Sequence, residues 1–520
     1  MDEETTAVLV VGGSLVGLSA ALFLAWHGVP TVLVERHPGS APHPRAIGYS
    51  PRTVELYHSV GLEDALHVAT SFAGAASVRR ARVTSLVDPR REELPWRGGD
   101  MPATSMEYSP YTSIAVHQDE LEPILRARAA ELGADLRFGN ELVSLTQDGN
   151  EVRARIRQRT SGKEYVVRSR YAIAADGNRS SIREQLGIGR GGRGFLRNVR
   201  SVLFRAVLDH YRDDGFGQFV IDGPPSAFLA AYGDGRWLLV FDGEAELDPR
   251  EIRRRVHAAV GAEVDFELVA IGDWEVRGSI ADRYTSGRVF LAGDAAHTLP
   301  PNRGGYGANT GIHDAHNLAW KLSAVLSGQA GPALLDSYDR ERRPIAWLCH
   351  DQLFAREDGH DPGGPRMDIP IIDDIAMTFG YRYPSPFAPS DGSLPPARRP
   401  DQWSGQPGTR APHLWLSDAH GRRSTLESFG RHWVLLSADE TWRSAGARAK
   451  TKLGLELDYR SVPPNDSAAF NLANGLQPGG ASLVRPDGFI AWRSLDLPAD
   501  PSAALLTAWS QLLNRIDKAD

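Results

Sequence analysis

Cysteine is almost absent from this 520-residue chain. The one present, Cys349, excludes an intrachain disulfide, a CxxC redox pair and a thiolate metal cluster. A surplus of either charge is missing too, since 58 Lys and Arg face 65 Asp and Glu, for a net charge of −7. That balance gives no electrostatic footing for nucleic acid or for an anionic membrane. Long apolar runs are scarce as well. Ala7 to Trp26 carries no charge, but Gly12, Gly13 and Gly17 interrupt it, and the MDEETT leader is acidic where a secretory signal needs a basic one. A cytoplasmic protein with neither a membrane nor a nucleic-acid partner is therefore expected. The length, with 42% hydrophobic and 24% charged residues, suits two or three globular domains.

What the chain does contain is three glycine-and-aspartate stretches, far apart. The first is VLVVGGSLVGLSAALFLAWHGVPTVLVERH. Residues 7–11 read as a strand buried on both faces, 15–27 as a helix closed by Gly28, and 31–35 as a second buried strand. Gly12 and Gly13 make the tight turn, with Ser14, Leu15 and Val16 at the helix start and Gly17 allowing close helix–strand packing. A helix N-terminus there offers free N–H groups to a pyrophosphate, and Glu35 is placed to accept from ribose hydroxyls. Ser14 stands where a second glycine is usual; its hydroxyl is expected to meet a phosphate oxygen. By itself this fingerprint fits NAD or FAD equally. The chain then leaves the doubly wound pattern at HPGSAPHPRAIGYSPRT, as a nucleotide domain interrupted by other segments would.

Residues 119–133 form an amphipathic helix with Leu121, Ile124, Leu125 and Leu132 on one face, and a glycine-turn hairpin follows. YAIAAD (171–176) is a buried strand leading into Asp176 and Arg183, the second signature. The third is GRVFLAGDAAHTLPPNRGGYGANTG at 287–311, a strand ending at Gly293–Asp294, with a helix expected from about 313 to 327. Asp294 sits at a strand's carboxyl end, where such sheets keep their ligand, and a carboxylate there suits a ribityl hydroxyl.

On these motifs residues 5–345 resemble the FAD-dependent aromatic hydroxylases of the p-hydroxybenzoate hydroxylase fold, the class A flavoprotein monooxygenases. The resemblance implies a Rossmann-like α/β FAD-binding domain (1–70, 115–185, 280–345) interleaved with an antiparallel-sheet substrate domain (71–114, 186–279). It puts Glu35, with neighbouring Arg36, at the adenosine end and Arg45 and Gln118 along the pyrophosphate and ribityl chain. Asp294 would hold the ribityl, with Gly293 and Pro301 beside it. The loop of Gly304, Gly305, Gly307, Ala308 and Asn309 would lie against the isoalloxazine, although PPNRGGYGAN is one residue longer than the usual run. Asp176 and Arg183 would serve FAD and NAD(P)H alike.

Residues 346–385 are read as an interdomain segment and the Pro/Gly-rich 386–412 as a linker. Beyond it, 413–520 resembles the thioredoxin-like extension of phenol and aromatic-polyketide hydroxylases, with strands at 433–437 and 481–485 and helices at 441–453 and 502–514. The lack of CxxC leaves that extension a packing or dimer-contact role, in a monomer or homodimer. The implied reaction takes NADPH or NADH, O₂ and a polycyclic, polyketide-like phenol, and delivers oxygen from a C4a-hydroperoxyflavin. A simple phenol hydroxylase, a Baeyer–Villiger monooxygenase and a non-catalytic redox sensor are the alternatives. No metal is called for; His313 and His316 have a helical spacing a metal could use but no third ligand nearby, and read as packing groups. Tyr232, beside the GDGR turn, and Arg382, in FGYRY, are the candidate catalytic residues, Arg382 as a cation for a phenolate or carbonyl oxygen. Phe219 and Phe228 are expected to face one layer of the substrate sheet.

Overall fold

The computed structural model describes residues 2–41, 43, 46–69, 79–94, 106–212, 215–223, 226–243, 248–301, 305–356, 366–389, 392–418 and 421–513. An eight-stranded sheet is built on five parallel strands in the order Val289–Leu291, Glu164–Ala174, Asp2–Val11, Thr31–Glu35 and Asp135–Phe138. The central strands are apolar on both faces because helices cover them. Leu15–Trp26 is buried nearly all round, and it lies between the sheet and the Tyr306–Leu326 helix. The strand expected at 171–176 is only the end of an eleven-residue one, Glu164–Ala174, whose first half pairs with the hairpin. The helix expected from about 313 begins at Tyr306 instead. Its glycine-rich first turn reads as loop, but Gly305 starts it at φ 59° and the Asn309 side chain donates to the Gly305 carbonyl at 2.9 Å.

The second sheet, also of eight strands, runs His297–Thr298, Glu267–Ala281, Arg190–Arg205, Arg236–Asp242, Ala227–Ala231, Phe216–Ile221, Arg79–Val83 and Glu92–Leu94. Its pairings are antiparallel except between Arg79–Val83 and Phe216–Ile221. Pairing is direct across the row Ala81, Phe219, Leu229, Leu239 and Val202, so these side chains share a face. The Pro249–Val260 helix covers that face. Asp248 caps its N-terminus, Gly261 closes it in the left-handed region, and Ile252, Val256, Ala259 and Val260 point inward. Phe228, Val240, Ser201 and Gly272 form the opposite row. Phe219 and Phe228 therefore lie on opposite faces, not one: they stand at positions of opposite parity in the pairing.

The C-terminal module has the order βαβαββα, with sheet order Leu457–Ser461, Trp433–Ser437, Ala481–Val484, Ile490–Ser494. Trp433–Ser437 pairs parallel with Leu457–Ser461 and antiparallel with Ala481–Val484, as in a thioredoxin-like sheet. Val434 and Leu436 face one small core. Trp433 and Leu435 face the other way, into the core that continues through the flavin module. Trp433 packs edge-on against Trp320 at 5.9 Å.

The second half of the stretch read as a linker packs against its neighbours: Tyr381 bridges Ala397, Arg382 bridges Thr409, and Arg410 bridges Phe489. Trp403 and Thr409 are buried and Trp403 Nε1 donates to the Gly380 carbonyl at 2.7 Å, so 397–411 is a packed strap. Proline-rich composition signals irregular backbone, but not whether that backbone is covered. Cys349 is buried behind the start of the Tyr306–Leu326 helix, 3.8 Å from Thr310 Oγ1, and burial pushes its thiol up to about 11. A thiol reagent should leave it untouched in the native protein and titrate one equivalent after denaturation; fast labelling of the native state would refute this placement.

Candidate active site

Glycine is required at the first turn. Gly12 has φ +106°, and a Cβ there would lie 2.2 Å from the Ala175 carbonyl oxygen; one on Gly17 would lie 1.8 Å from that of Gly12. The Gly13 N–H donates to Glu35 Oε2 at 2.7 Å, and the other oxygen, Oε1, accepts from the His37 N–H at 2.8 Å and meets its Nδ1 at 2.6 Å. The Ser14 hydroxyl donates to Glu122 Oε1 at 2.7 Å and accepts from Gln118 Nε2 at 2.9 Å, so its proton goes to a buried carboxylate. The Ser14 side chain makes no cap to its own helix, whose first N–H groups stay directed at the turn.

The three signatures converge here. Val16 Cγ2 would lie 2.8 Å from a Cβ on Gly293 and 2.6 Å from one on Gly311, which locks the first turn onto the third stretch. Buried Arg183 donates to the carbonyls of Asn178 and Ala295, both at 3.1 Å, and ties the second stretch to the third. Asp176 Oδ2 accepts from the Ile182 N–H at 3.3 Å, whereas Oδ1 is buried with no partner, and burial raises its carboxyl above the usual range. Asp294 is half-buried on the turn after Val289–Leu291. From there the chain crosses to the second sheet at His297–Thr298, so Gly293–Ala295 is the junction of the two sheets. Asn309 Oδ1 accepts from the Ser50 N–H at 2.9 Å and from Thr53 Oγ1 at 2.5 Å. Gly307 and Ala308 are half-buried next to it, Gly305 is exposed, and so are Pro301 and Arg36. Arg45 and Gly304 lie outside the described residues.

Beneath the junction is a fully buried hub that the sequence reading missed. Asp314 meets His297 Nε2 at 2.7 Å and accepts from Arg342 Nε at 2.7 Å and the Gly293 N–H at 3.3 Å. Arg342 also donates to Tyr383 Oη at 2.9 Å and the Thr310 carbonyl at 3.1 Å. Burial by itself would raise the Asp314 carboxyl, but Arg342 and His297 hold it below the ordinary range. The available signal was an acid set between His313 and His316 in an otherwise buried helix. Those two histidines pack: His313 Nε2 lies 3.1 Å from Thr53 Oγ1, and His316 meets the Phe23 ring edge-on at 4.9 Å.

Both catalytic candidates sit among protein partners. Tyr232 is 1% exposed, its ring 4.6 Å from that of His117, and burial raises its phenol well above the ordinary value. It sits under Arg236, which donates to Asp119 at 2.7 Å, to Asp234 at 2.6 Å and to His117 Nδ1 at 3.1 Å, joining the second sheet to the helix that carries Gln118. It forms part of that joint. Arg382 donates from Nε to the Pro395 carbonyl at 3.1 Å and from Nη2 to that of Leu394 at 3.2 Å. Its cation is committed to closing the strap. The sheet face turned toward the flavin module is the row with Phe228, Ser201 and Gly272: a Cβ on Gly272 would lie 3.3 Å from His43 Cδ2 and 2.3 Å from Ser201 Oγ. Ser201 Oγ is buried without a hydrogen-bond partner.

Two family profiles match, an FAD binding domain over residues 5–352 and an aromatic-ring hydroxylase C-terminal region over 404–515. The chain is 42% identical to a 4-methyl-5-nitrocatechol 5-monooxygenase of Burkholderia sp, over 98% of this chain and 97% of that protein. It is 37% identical to a tetracenomycin A2 monooxygenase-dioxygenase of Streptomyces glaucescens, over 99% and 98% of the two chains. Among solved structures, aklavinone-11 hydroxylase in a ternary complex with FAD and aklavinone superimposes with a TM-score of 0.88 at 35% identity, covering 99% of this chain and 100% of that one.

Proposed function

The chain belongs to the FAD-dependent aromatic-ring hydroxylases, and from that premise we propose that its substrate is a polycyclic, polyketide-like phenol. The observation that carries this reading is end-to-end similarity, C-terminal module included, to an enzyme solved with FAD and aklavinone. The half-buried face of Phe228, Val240 and Gly272 around buried Ser201, turned toward the flavin module, gives an aromatic substrate an apolar floor with one hydroxyl on it.

The residues present fit FAD. Gly12, Gly13 and Gly17 of the first turn have no room for a Cβ, an uncapped helix start faces that turn, and one oxygen of Asp176 is buried without a partner. In this reading Glu35 takes the adenosine ribose, Gln118 lines the pyrophosphate and ribityl path, Asp294 takes the ribityl, and the 305–309 turn borders the ring. Asp176 and Arg183 shape the side where NAD(P)H engages. FAD when bound supplies the redox chemistry, passing electrons from NAD(P)H to O₂. The protein contributes orientation, exclusion of water and a fixed set of donors. Glu35→Ala should weaken FAD binding by about 2 kcal/mol, because it removes charge-assisted hydrogen bonds; titration of apoprotein by flavin fluorescence reads this, and an unchanged Kd would move the ribose elsewhere.

A monocyclic catechol is the second reading, favoured by the 42% identity to the nitrocatechol monooxygenase. The deciding experiment measures NADPH oxidation and O₂ uptake by the FAD-loaded enzyme with anthraquinone and naphthacene phenols and with substituted catechols. Product masses are followed in parallel. Stimulation with one added oxygen on the polycyclic substrates supports the proposal, and on catechols alone supports the second reading. NADPH oxidation indifferent to every phenol would sink both.

A further inference from the structure

The turn between Ala481–Val484 and Ile490–Ser494 of the C-terminal module sends two charged side chains into the flavin module. Arg485 donates through Nη1 and Nη2 to Glu341 at 2.7 and 2.9 Å, and through Nε to Asp487 at 3.0 Å. Lys321 Nζ, 0% exposed, donates to the same Glu341 at 2.7 Å and to Asn317 Oδ1 at 2.8 Å. Asp487 reaches two helices at once. Its Oδ2 accepts from Trp320 Nε1 at 3.1 Å and Asn317 Nδ2 at 3.4 Å, on Tyr306–Leu326, and its backbone carbonyl accepts from Arg52 Nη2 at 2.7 Å, on Pro51–His58.

We infer that the Arg485–Asp487 turn is a positioning element for the flavin, pinning these two helices so that their starts hold the flavin-facing loops in register. The inference rests on the reading that the three signatures enclose FAD. Both helices begin at the Ser50–Thr53–Asn309 cluster, where Asn309 Oδ1 accepts from the Ser50 N–H and the Thr53 hydroxyl. A second route runs from Phe489, stacked on Tyr383 at 4.2 Å, through Arg342 and Asp314 to the Gly293 N–H. Each helix is a stiff rod that takes directional bonds from this turn and starts at the loops read as flavin-facing, so a rotation at the turn becomes a displacement at the loop. Adhesion alone does not explain the turn. The modules already share the Trp320–Trp433–Trp509 packing and the Trp26–Gly430 hydrogen bond, and buried ion pairs are poor stabilisers that are often replaceable by apolar residues.

The test compares Asp487→Asn, the apolar pair Arg485→Met with Glu341→Met, and Trp26→Phe, which weakens the module contact elsewhere. For each, the Kd of apoprotein for FAD, the shape of the bound flavin's visible band and Tm are measured. Asp487→Asn should bind FAD about tenfold more weakly, with an altered band, as expected for loss of a coupling of ordinary size. Trp26→Phe should lower Tm and leave Kd and band as in wild type. The Met pair strands the Lys321 ammonium and the Asp487 carboxylate, so its Tm should fall too; with Lys321→Met added, Tm should return toward wild type while FAD stays weak, and this triple decides the matter if Asp487→Asn does not fold. Wild-type Kd and band in Asp487→Asn, or in the triple, would overturn the positioning role. Wild-type apoprotein that takes up no FAD would instead bring down the reading of the flavin site, and this inference with it.

Discussion

Gly17→Ala should purify colourless and fail to take up added FAD. A Cβ at this position would lie 1.8 Å from the Gly12 carbonyl oxygen and 3.5 Å from the Ala175 Cβ. Relief requires the Leu15–Trp26 helix to move away from the strand that precedes it, by more than an ångström. That helix has little freedom: it packs against Tyr306–Leu326, and Val16 is wedged against Gly293 and Gly311. Overpacking of this kind costs about 1–3 kcal/mol even where neighbours can yield. Here the displaced element is the helix start that would face the pyrophosphate. Gly28→Ala makes the matched control. Gly28 also has positive φ, at +72°, but nothing lies within 4 Å of its Cβ position. It should lose about 1–2 kcal/mol of stability and retain FAD. Stoichiometric flavin in purified Gly17→Ala, read from the visible absorbance, would show that this turn does not cradle the cofactor.

Asp314→Ala should be the most destabilising single change at the site, at about 3–5 kcal/mol, because it strands the buried Arg342 guanidinium without its carboxylate. Arg342 is 0% exposed and has no route to water; its remaining partners, Tyr383 and the Thr310 carbonyl, are neutral. The loss should appear as a lower urea midpoint, with flavin released early because the Gly293 N–H loses its acceptor. Acid should produce the same effect by titration. Asp314 and Glu341 both have folded carboxyls held below the ordinary range, Glu341 at about 2 because Arg485 and Lys321 overcome the burial that would raise it. Groups depressed in the fold stabilise it above their unfolded pKa, about 4, and lose that contribution as pH falls through the folded value. Stability should thus decline from about pH 4.5 toward 2. In Asp314→Ala that acid slope should be shallower. An Asp314→Ala midpoint within about 1 kcal/mol of wild type would remove the hub from the account of stability.

The nucleotide turn, the strand that ends at Glu35 and the Gly293–Asp294 turn were legible because each depends on residues within about 30 positions of one another. Buried parallel strands show as apolar runs, and glycine appears where a side chain would strike backbone. The C-terminal sheet was legible for the same reason, from Trp433–Ser437 and Ala481–Val484. Reading failed where composition stood in for contact. Residues 397–411 have the composition of a linker and the burial of a strap, and YGANTG has the residues of a loop yet starts a helix. Chemical type singles out Tyr232 and Arg382, but it does not tell that one packs in the joint at Arg236 and the other donates to two carbonyls.

Local periodicity and turn chemistry, written in neighbouring residues, were enough to read a Rossmann-like module interleaved with an antiparallel sheet, and the family resemblance added the thioredoxin-like module behind them. Where the charges go is set by the packing of distant elements. Ser14 gives its proton to Glu122, 108 residues away, Arg342 finds Asp314, and Arg485 crosses 144 residues to Glu341. A buried ionisable side chain must find a partner, but which one depends on how sheets and helices stack, and no spacing along the chain encodes that.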